Sequence, residues 1–205
     1  MAGSAGATPP PAVPAPSVRV GVLAIQGDFE AHAAALEKLG AAPVEIRRPG
    51  ELDDLDALII PGGESTTISM GLASSGLDDA IRRHAGAGKP ILGTCAGLIV
   101  LDRRHLGLMD IEARRNAFGR QVRSFEADVT VNGLGDEPLG AVFIRAPWIE
   151  SVGDDVEVLA ELDGHPVVAR QRNLLVTSFH PELTDDLRVH ALFLALAGIQ
   201  SRVGA

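Results

Sequence analysis

The chain has one cysteine, Cys95, in 205 residues. That scarcity rules out an internal disulfide and leaves too few thiolates for a structural zinc site. It also fits a reducing cytoplasm. The marks of export and membrane insertion are missing as well. The first residues carry neither a basic start nor an apolar stretch long enough for a signal peptide. The longest apolar run, around Ile91 to Leu101, falls well short of the ~20 residues that span a bilayer. A soluble chain with no membrane partner is expected. Basic charge is also in deficit: the formal net charge is -9, whereas a phosphate backbone demands clustered Lys and Arg. The expected partner is therefore a small molecule or another protein, and not nucleic acid. No GxGxxG or P-loop fingerprint and no internal repeat is present.

What is present is enough apolar material for one sizeable core, at 46% hydrophobic and 22% charged residues, and the length is short for two domains. Residues 1–17 are almost all Ala, Pro, Gly, Ser and Thr, with five prolines that remove backbone donors, so a disordered tail is expected before a single domain over 18–205. From Val18 onward, short β-branched runs alternate with longer amphipathic segments, the pattern of strand, crossover helix and parallel strand. Val18 to Ile25, Val44 to Ile46, Ala57 to Ile60 and Pro90 to Thr94 read as buried parallel strands. Asp28 to Leu39 and Ser65 to Leu72 read as helices, stopped by Gly40 and Gly76. After about Gly119 strands dominate: Val122 to Val131, Ala141 to Ala146, Val156 to Leu162, Pro166 to Ala169 and Leu174 to Ser178, with a closing helix over Thr184 to Ala197. The fold class is α/β: a doubly wound, mostly parallel central sheet flanked by helices, with extra antiparallel strands in the second half. Functional residues of such a sheet gather at the carboxyl ends of its strands.

The most informative segment is Pro90 to Val100, an apolar strand running into an apolar helix through Gly-Thr-Cys-Ala-Gly. Gly93 and Gly97 flank Cys95 at the spacing of a nucleophile elbow, with cysteine in place of serine. A thiol at the amino end of the following helix is favoured as thiolate by the macrodipole and free N–H groups. Cysteine alone is more often a small buried residue on a glycine turn. The second cluster reverses that balance: Ser178-Phe179-His180-Pro181-Glu182 follows the last strand and should lie at the same sheet edge. His180 there can relay the thiol proton, and Glu182 can hydrogen-bond the imidazole and stabilise its charged form. His32, His84, His105, His165 and His190 lack such context and read as surface or helix residues.

A third motif, Pro61-Gly62-Gly63-Glu64-Ser65-Thr66-Thr67, is another strand followed by glycines and a helix start. Acyl transfer needs N–H donors aimed at the developing oxyanion, and Gly63 with the amide of Ala96 can supply them. A plain strand-to-helix turn capped by Ser65 or Thr66 is compatible with that role.

Taken in order, PGGES, GTCAGL and SFHPE resemble the class I, triad-type glutamine amidotransferases. Within that class, Ala24-Ile25-Gln26-Gly27, PGGESTT, Arg115 to Gln121, Phe125 to Asp128 and Phe143 to Pro147 resemble the glutaminases of pyridoxal 5'-phosphate synthase. The likeness covers about Val18 to Gly198. It implies that Cys95, His180 and Glu182 form a triad, that Gly62, Gly63 and Glu64 hold L-glutamine, and that Arg115, Ile144 and Arg145 complete the pocket. An α-carboxylate and an α-ammonium demand a cation and an anion at the pocket mouth, and Arg115 or Arg145 can serve the carboxylate. The likeness also implies ammonia transfer to a separate barrel-shaped synthase subunit, with Gln26 at the interface with that partner. Thiol chemistry of this kind requires no metal, nucleotide or flavin, and the chain itself is not expected to bind pyridoxal phosphate.

One departure concerns Leu98 to Leu106, LIVLDRRHL, which is several residues shorter than this family leads one to expect. A shortened helix after Cys95 with an intact triad is predicted. Two rivals stand beside this assignment. One is a glutaminase for imidazole glycerol phosphate or aminodeoxychorismate synthesis, against which RNAFGRQ and FIRAP argue. The other is a catalytically idle scaffold, against which the complete triad argues.

Overall fold

The computed structural model describes residues 18–117 and 124–198. The expected tail over 1–17 lies outside the described residues, as do Phe118 to Gln121 of the RNAFGRQ segment. In chain order the elements are β1 (Arg19–Leu23), α1 (Phe29–Lys38), β2 (Ala42–Ile46), a 3-10 turn (Pro49–Leu52), β3 (Ala57–Ile60), α2 (Ser65–Ser75), α3 (Leu77–Gly86), β4 (Ile91–Thr94), α4 (Ala96–Leu101) and β5 (Ile111–Arg114). There follow β6 (Ser124–Val129), β7 (Leu139–Ile144), β8 (Trp148–Val152), β9 (Glu157–Leu162), β10 (His165–Gln171), β11 (Leu174–Thr177), a 3-10 turn (Pro181–Leu183) and α5 (Arg188–Leu196).

A seven-stranded sheet in the order β2-β1-β3-β4-β11-β10-β9 forms the centre. The ladders from β2 through β11 are parallel, and β10 and β9 add antiparallel strands at one edge. The runs ALII, ILGT and LLVT are buried along their whole length, because helices or further strands cover both faces of a parallel sheet. Successive residues then point to opposite cores. Leu58 and Ile60 join Ile68, Leu72, Ile81 and Leu98 under α2, α3 and α4. Ala57 and Ile59 join Leu36, Phe143 and Phe193 under α1, α5 and the β6–β7 pair. Burial of these aliphatic side chains contributes roughly 1.5–3 kcal/mol each before entropy is counted.

Gly40 and Gly76 stop α1 and α2 with left-handed backbone, as expected. One helix and two strands are additional to the sequence reading, α3, β5 and β8, as are the two 3-10 turns. The closing helix is a correction, because it begins at Arg188 and not at Thr184. Thr184 is extended, its hydroxyl accepts from Asp186 N at 3.3 Å, and Asp186 Oδ1 accepts from Arg188 N at 3.0 Å. Side chains that capture amides locally compete with the helical ladder. The helix after Cys95 is short, as the LIVLDRRHL departure predicts: α4 has six residues.

Candidate active site

Cys95 joins β4 to α4 at φ 49°, ψ -103°. A non-glycine residue in that region is strained by about 1–3 kcal/mol, and the strain marks a sharp elbow. Its surroundings hold it there. Cys95 N donates to Thr177 O at 2.8 Å, continuing the β4–β11 ladder past its last pair. A Cβ on Gly97 would collide with Ile60 O, and one on Gly93 would come within 2.7 Å of Gly97 O. Glycine at both positions is thus what lets the helix start lie against the sheet.

The ladder bond to Thr177 also brings the following loop beside Cys95. His180 N donates to Val142 O at 2.9 Å, which ties that loop to β7. His180 Nδ1 lies 2.8 Å from Glu182 Oε1, and the Glu182 side chain is wholly buried. Nε2 is the nitrogen left for Cys95. Burial disfavours the charged imidazole, but hydrogen bonding with Cys95 and Glu182 and the charges of both outweigh it, raising the His180 pKa to about 10. The Cys95 thiol also approaches Ile144 O at 3.8 Å. The three residues thus meet in the order thiol, imidazole, carboxylate. That arrangement can form a nucleophile, carry its proton and hold the carrier in one tautomer.

Cys95 and His180 open into a cleft of about 430 Å3, lined also by Gln26, Gly63, Glu64, Ala96, Arg115, Ile144 and Arg145. Gly62 approaches the reacting groups most closely, since a Cβ there would overlap His180 Cε1 and lie 3.3 Å from Cys95 Cβ. Its amide donates to Thr94 Oγ1 at 3.1 Å, and the Glu64 amide donates to Gln26 Oε1 at 3.1 Å. Gly63, at φ 147°, lies between these two fixed peptides. Glu64 caps α2 through Thr66 N and Thr67 N at 3.1 and 2.7 Å. The Thr67 hydroxyl, which donates to Glu64 Oε2 at 2.8 Å, and then these amides lower its pKa to about 2. Arg115 reaches Glu64 Oε1 at 2.8 Å and Thr66 Oγ1 at 3.2 Å. Arg145, on left-handed backbone at φ 46°, has no ion-pair partner among the described residues.

Every residue singled out from the sequence thus lies in or beside this cleft. The sequence reading missed Ser65 and Asn116, which also line it. It also missed the burial of His32 and His190, both fully inaccessible behind Glu182. Helical spacing carried the signal: His32 lies four residues before buried Leu36, and His190 three before buried Phe193.

A parallel α/β sheet with a cysteine elbow and a histidine–carboxylate pair at its carboxyl edge has the arrangement of a cysteine-nucleophile acyl-transfer enzyme. The chain belongs to the SNO glutamine amidotransferase family, whose model matches residues 22–197. It is 53% identical over 184 residues to the pyridoxal 5'-phosphate synthase subunit PdxT of Desulforudis audaxviator, covering 86% of this chain and 97% of that protein. It is 50% identical over 205 residues to the PdxT subunit of Acidothermus cellulolyticus, covering 93% of this chain and 99% of that one. Among solved structures, a glutamine amidotransferase superposes with TM-score 0.83 at 48% identity, over 88% of this chain and 99% of that one. PurLQS of Thermotoga maritima shares the fold at TM-score 0.67 and 20% identity, over 87% of this chain and 98% of that one.

Proposed function

We propose that residues 18–205 act as one glutaminase unit that hydrolyses L-glutamine to L-glutamate and ammonia. The ammonia passes to a separate barrel-shaped synthase subunit that builds pyridoxal 5'-phosphate in the cytoplasm. The observation that carries this is the strained Cys95 elbow beside His180, whose Nδ1 lies 2.8 Å from buried Glu182 Oε1, in a cleft bearing both an anion and cations.

In this mechanism Cys95 gives its proton to His180 and attacks the side-chain carbonyl of glutamine. The Gly63 and Ala96 amides receive the oxyanion. His180 returns the proton to the departing nitrogen, which leaves as ammonia, and a glutamyl thioester remains. Water then attacks the thioester, giving its proton to His180, and the released thiolate is restored as the acid departs. Every proton step uses one imidazole, so the chemistry requires no metal, nucleotide or flavin.

The amino-acid end of glutamine is assigned by charge. Glu64 meets the α-ammonium and Arg145, the cation without an ion-pair partner among the described residues, meets the α-carboxylate. Arg115 orients Glu64 through their 2.8 Å contact, and Ile144 packs the aliphatic stem beside Gly62. Gln26 is the point of partner control. Its carboxamide holds the Glu64 amide at 3.1 Å, so docking of the barrel subunit on Gln26 releases that peptide and lets Gly63 turn its N–H toward the oxyanion.

The test is ammonia release from glutamine by the chain and by Cys95→Ala, each with and without the barrel subunit. Turnover by the Cys95→Ala protein equal to that of the parent would overturn the assignment. Pyridoxal phosphate formation by the Cys95→Ala complex on external ammonium shows that assembly survives the substitution.

A further inference from the structure

Behind Glu182, on the side away from His180, lies a polar cluster in an otherwise apolar core. His32 on α1 and His190 on α5 are each fully inaccessible. His32 Nε2 is 3.3 Å from Glu182 Oε2 and 3.3 Å from Thr94 Oγ1, and its Nδ1 is 2.9 Å from His190 Nε2. Among the described residues neither Glu182 Oε2 nor His190 Nδ1 makes a hydrogen bond, so the 3.3 Å approach of His32 Nε2 to Oε2 is a polar contact rather than a formed bond.

We infer that His32, locked in one tautomer by His190, is a positioning residue that holds the Glu182 carboxylate in place for His180. The inference rests on the assignment of Cys95, His180 and Glu182 above. A buried carboxylate oxygen can only accept, so the nitrogen facing it must carry hydrogen. With hydrogen on His32 Nε2, Nδ1 becomes an acceptor and His190 Nε2 must donate to it. His190 Nδ1 is then a bare lone pair, which is the ring atom found without a partner. The opposite tautomer sets a lone pair of His32 against Glu182 Oε2 and buries an unpaired N–H on His190, and an orphaned buried donor is the costlier defect. The Thr94 hydroxyl, 3.3 Å from Nε2, can pair with either tautomer, so the carboxylate oxygen and the His190 ring decide between them, and both favour hydrogen on Nε2.

Charge supports the same arrangement. Protonated His32 would face His190 Nε2–H with a second N–H at 2.9 Å. Burial first, then His190 and His180, hold its pKa well below the usual 6.5, and burial lowers that of His190 to about 4. Around neutral pH the positive charge stays on His180 and both imidazoles behind Glu182 stay neutral. Plain packing of α1 against α5 would be met at least as well by aliphatic side chains, because buried polar clusters add little stability. Removing His32 takes away the polar group that backs Oε2 at 3.3 Å, and the carboxylate is then free to turn from His180. His180 then loses its fixed counter-charge.

The experiment uses the full chain in complex with the barrel subunit for turnover, and the full chain for the pH dependence of Cys95 alkylation by iodoacetamide. His32→Leu should lower kcat about tenfold with an unchanged KM for glutamine, and should move the acid limb of alkylation up by about one pH unit. His32→Gln, which restores an N–H at the Nε2 position, should recover both while melting no higher than His32→Leu. If His32→Leu does not fold, His190→Met, which removes the donor to His32 Nδ1, should shift the alkylation limb in the same direction. Parent-like alkylation and kcat in the removing variants, or losses in His32→Gln equal to those in His32→Leu, would overturn the inference. Glu182→Gln separates the two levels: if it too leaves the alkylation limb unmoved, the triad assignment itself fails, whereas a shift there with none in His32→Leu removes only the role of His32.

Discussion

Gly62→Ala puts the closeness of the site to a numerical test. An added Cβ would overlap His180 Cε1, lie 3.0 Å from His180 Nδ1 and 3.3 Å from Cys95 Cβ, where unstrained carbon contacts sit at about 3.5–4.0 Å. The Gly62 peptide cannot readily retreat. Its N–H is held by Thr94 Oγ1 at 3.1 Å, and its carbonyl lies against Gly27 so closely that a Cβ there would collide with it. The imidazole must therefore move by about 1 Å, which takes the 2.8 Å bond to Glu182 beyond the ~3.2 Å limit of a good hydrogen bond. A misplacement of that size costs about 100-fold in turnover, and overpacking costs about 1–3 kcal/mol of stability, or roughly 2–12 °C in melting temperature for a chain of this size. The backbone at Gly62 is not left-handed, so steric overlap alone is at issue. Gly140→Ala, where a Cβ meets nothing within 4 Å among the described residues, is the control. We expect Gly62→Ala to lose about 100-fold in kcat for glutamine in the assembled complex with little change in KM. Turnover within threefold of the parent at an unchanged melting temperature would refute the geometry.

Cys95→Ser and Cys95→Ala should abolish ammonia release from glutamine without lowering the melting temperature, which calorimetry alongside the activity assay checks. Arg145→Ala should raise KM for glutamine by about 10- to 100-fold, the worth of one charged hydrogen bond, with a smaller fall in kcat; collapse of kcat at constant KM would assign Arg145 to the chemistry. Gln26→Ala should blunt the stimulation of hydrolysis by the barrel subunit, and full activity of the isolated chain would remove the gating altogether. Burial first, then Lys89, lowers the His84 pKa to about 4, so the unfolded chain takes up this proton more readily than the folded one. The associated stability is complete above about 6.5 and falls as pH drops toward 4. Denaturant titrations at pH 7 and pH 5 should show an acid loss up to about 2 kcal/mol smaller in His84→Leu than in the parent.

The parallel strands were legible because their side chains are buried on both faces, which leaves unbroken runs such as ALII and LLVT. The elbow was legible because the close approach of Gly93 and Gly97 leaves room for no other residue. The loops carrying Arg115 and Arg145 were legible only by likeness to a family: β5 and β8 are short, half-exposed strands, and neither has a strong period of two. The start of α5 was misjudged because Thr184 and Asp186 spend their side chains on backbone amides, a local choice that apolar spacing does not record. His32 and His190 were passed over for a different reason. Each was taken one residue at a time, and a polar residue on an apolar helix face becomes informative only when a second helix presents another to it.

At the end of β4 the chain passes from the core into the cleft within two residues. Thr94 points toward the core under α1 and α5, where its hydroxyl accepts from Gly62 N and touches His32, while Cys95 turns into the cleft on left-handed backbone. One residue thus fixes the glycine loop that borders the nucleophile, and it touches the histidine behind the carboxylate. A shift of α1 against the sheet would therefore be felt twice, at Glu182 through His32 and at Gly62 through Thr94. Because α1 starts two residues after Gly27, which packs on the Gly62 carbonyl, and three after Gln26, which holds the Glu64 amide, a partner gripping the β1–α1 turn acts on a short, rigid linkage. Such a linkage needs no large motion to change the site: a few tenths of an ångström at Gly62 is enough to crowd His180, because nothing larger than a hydrogen atom fits between them.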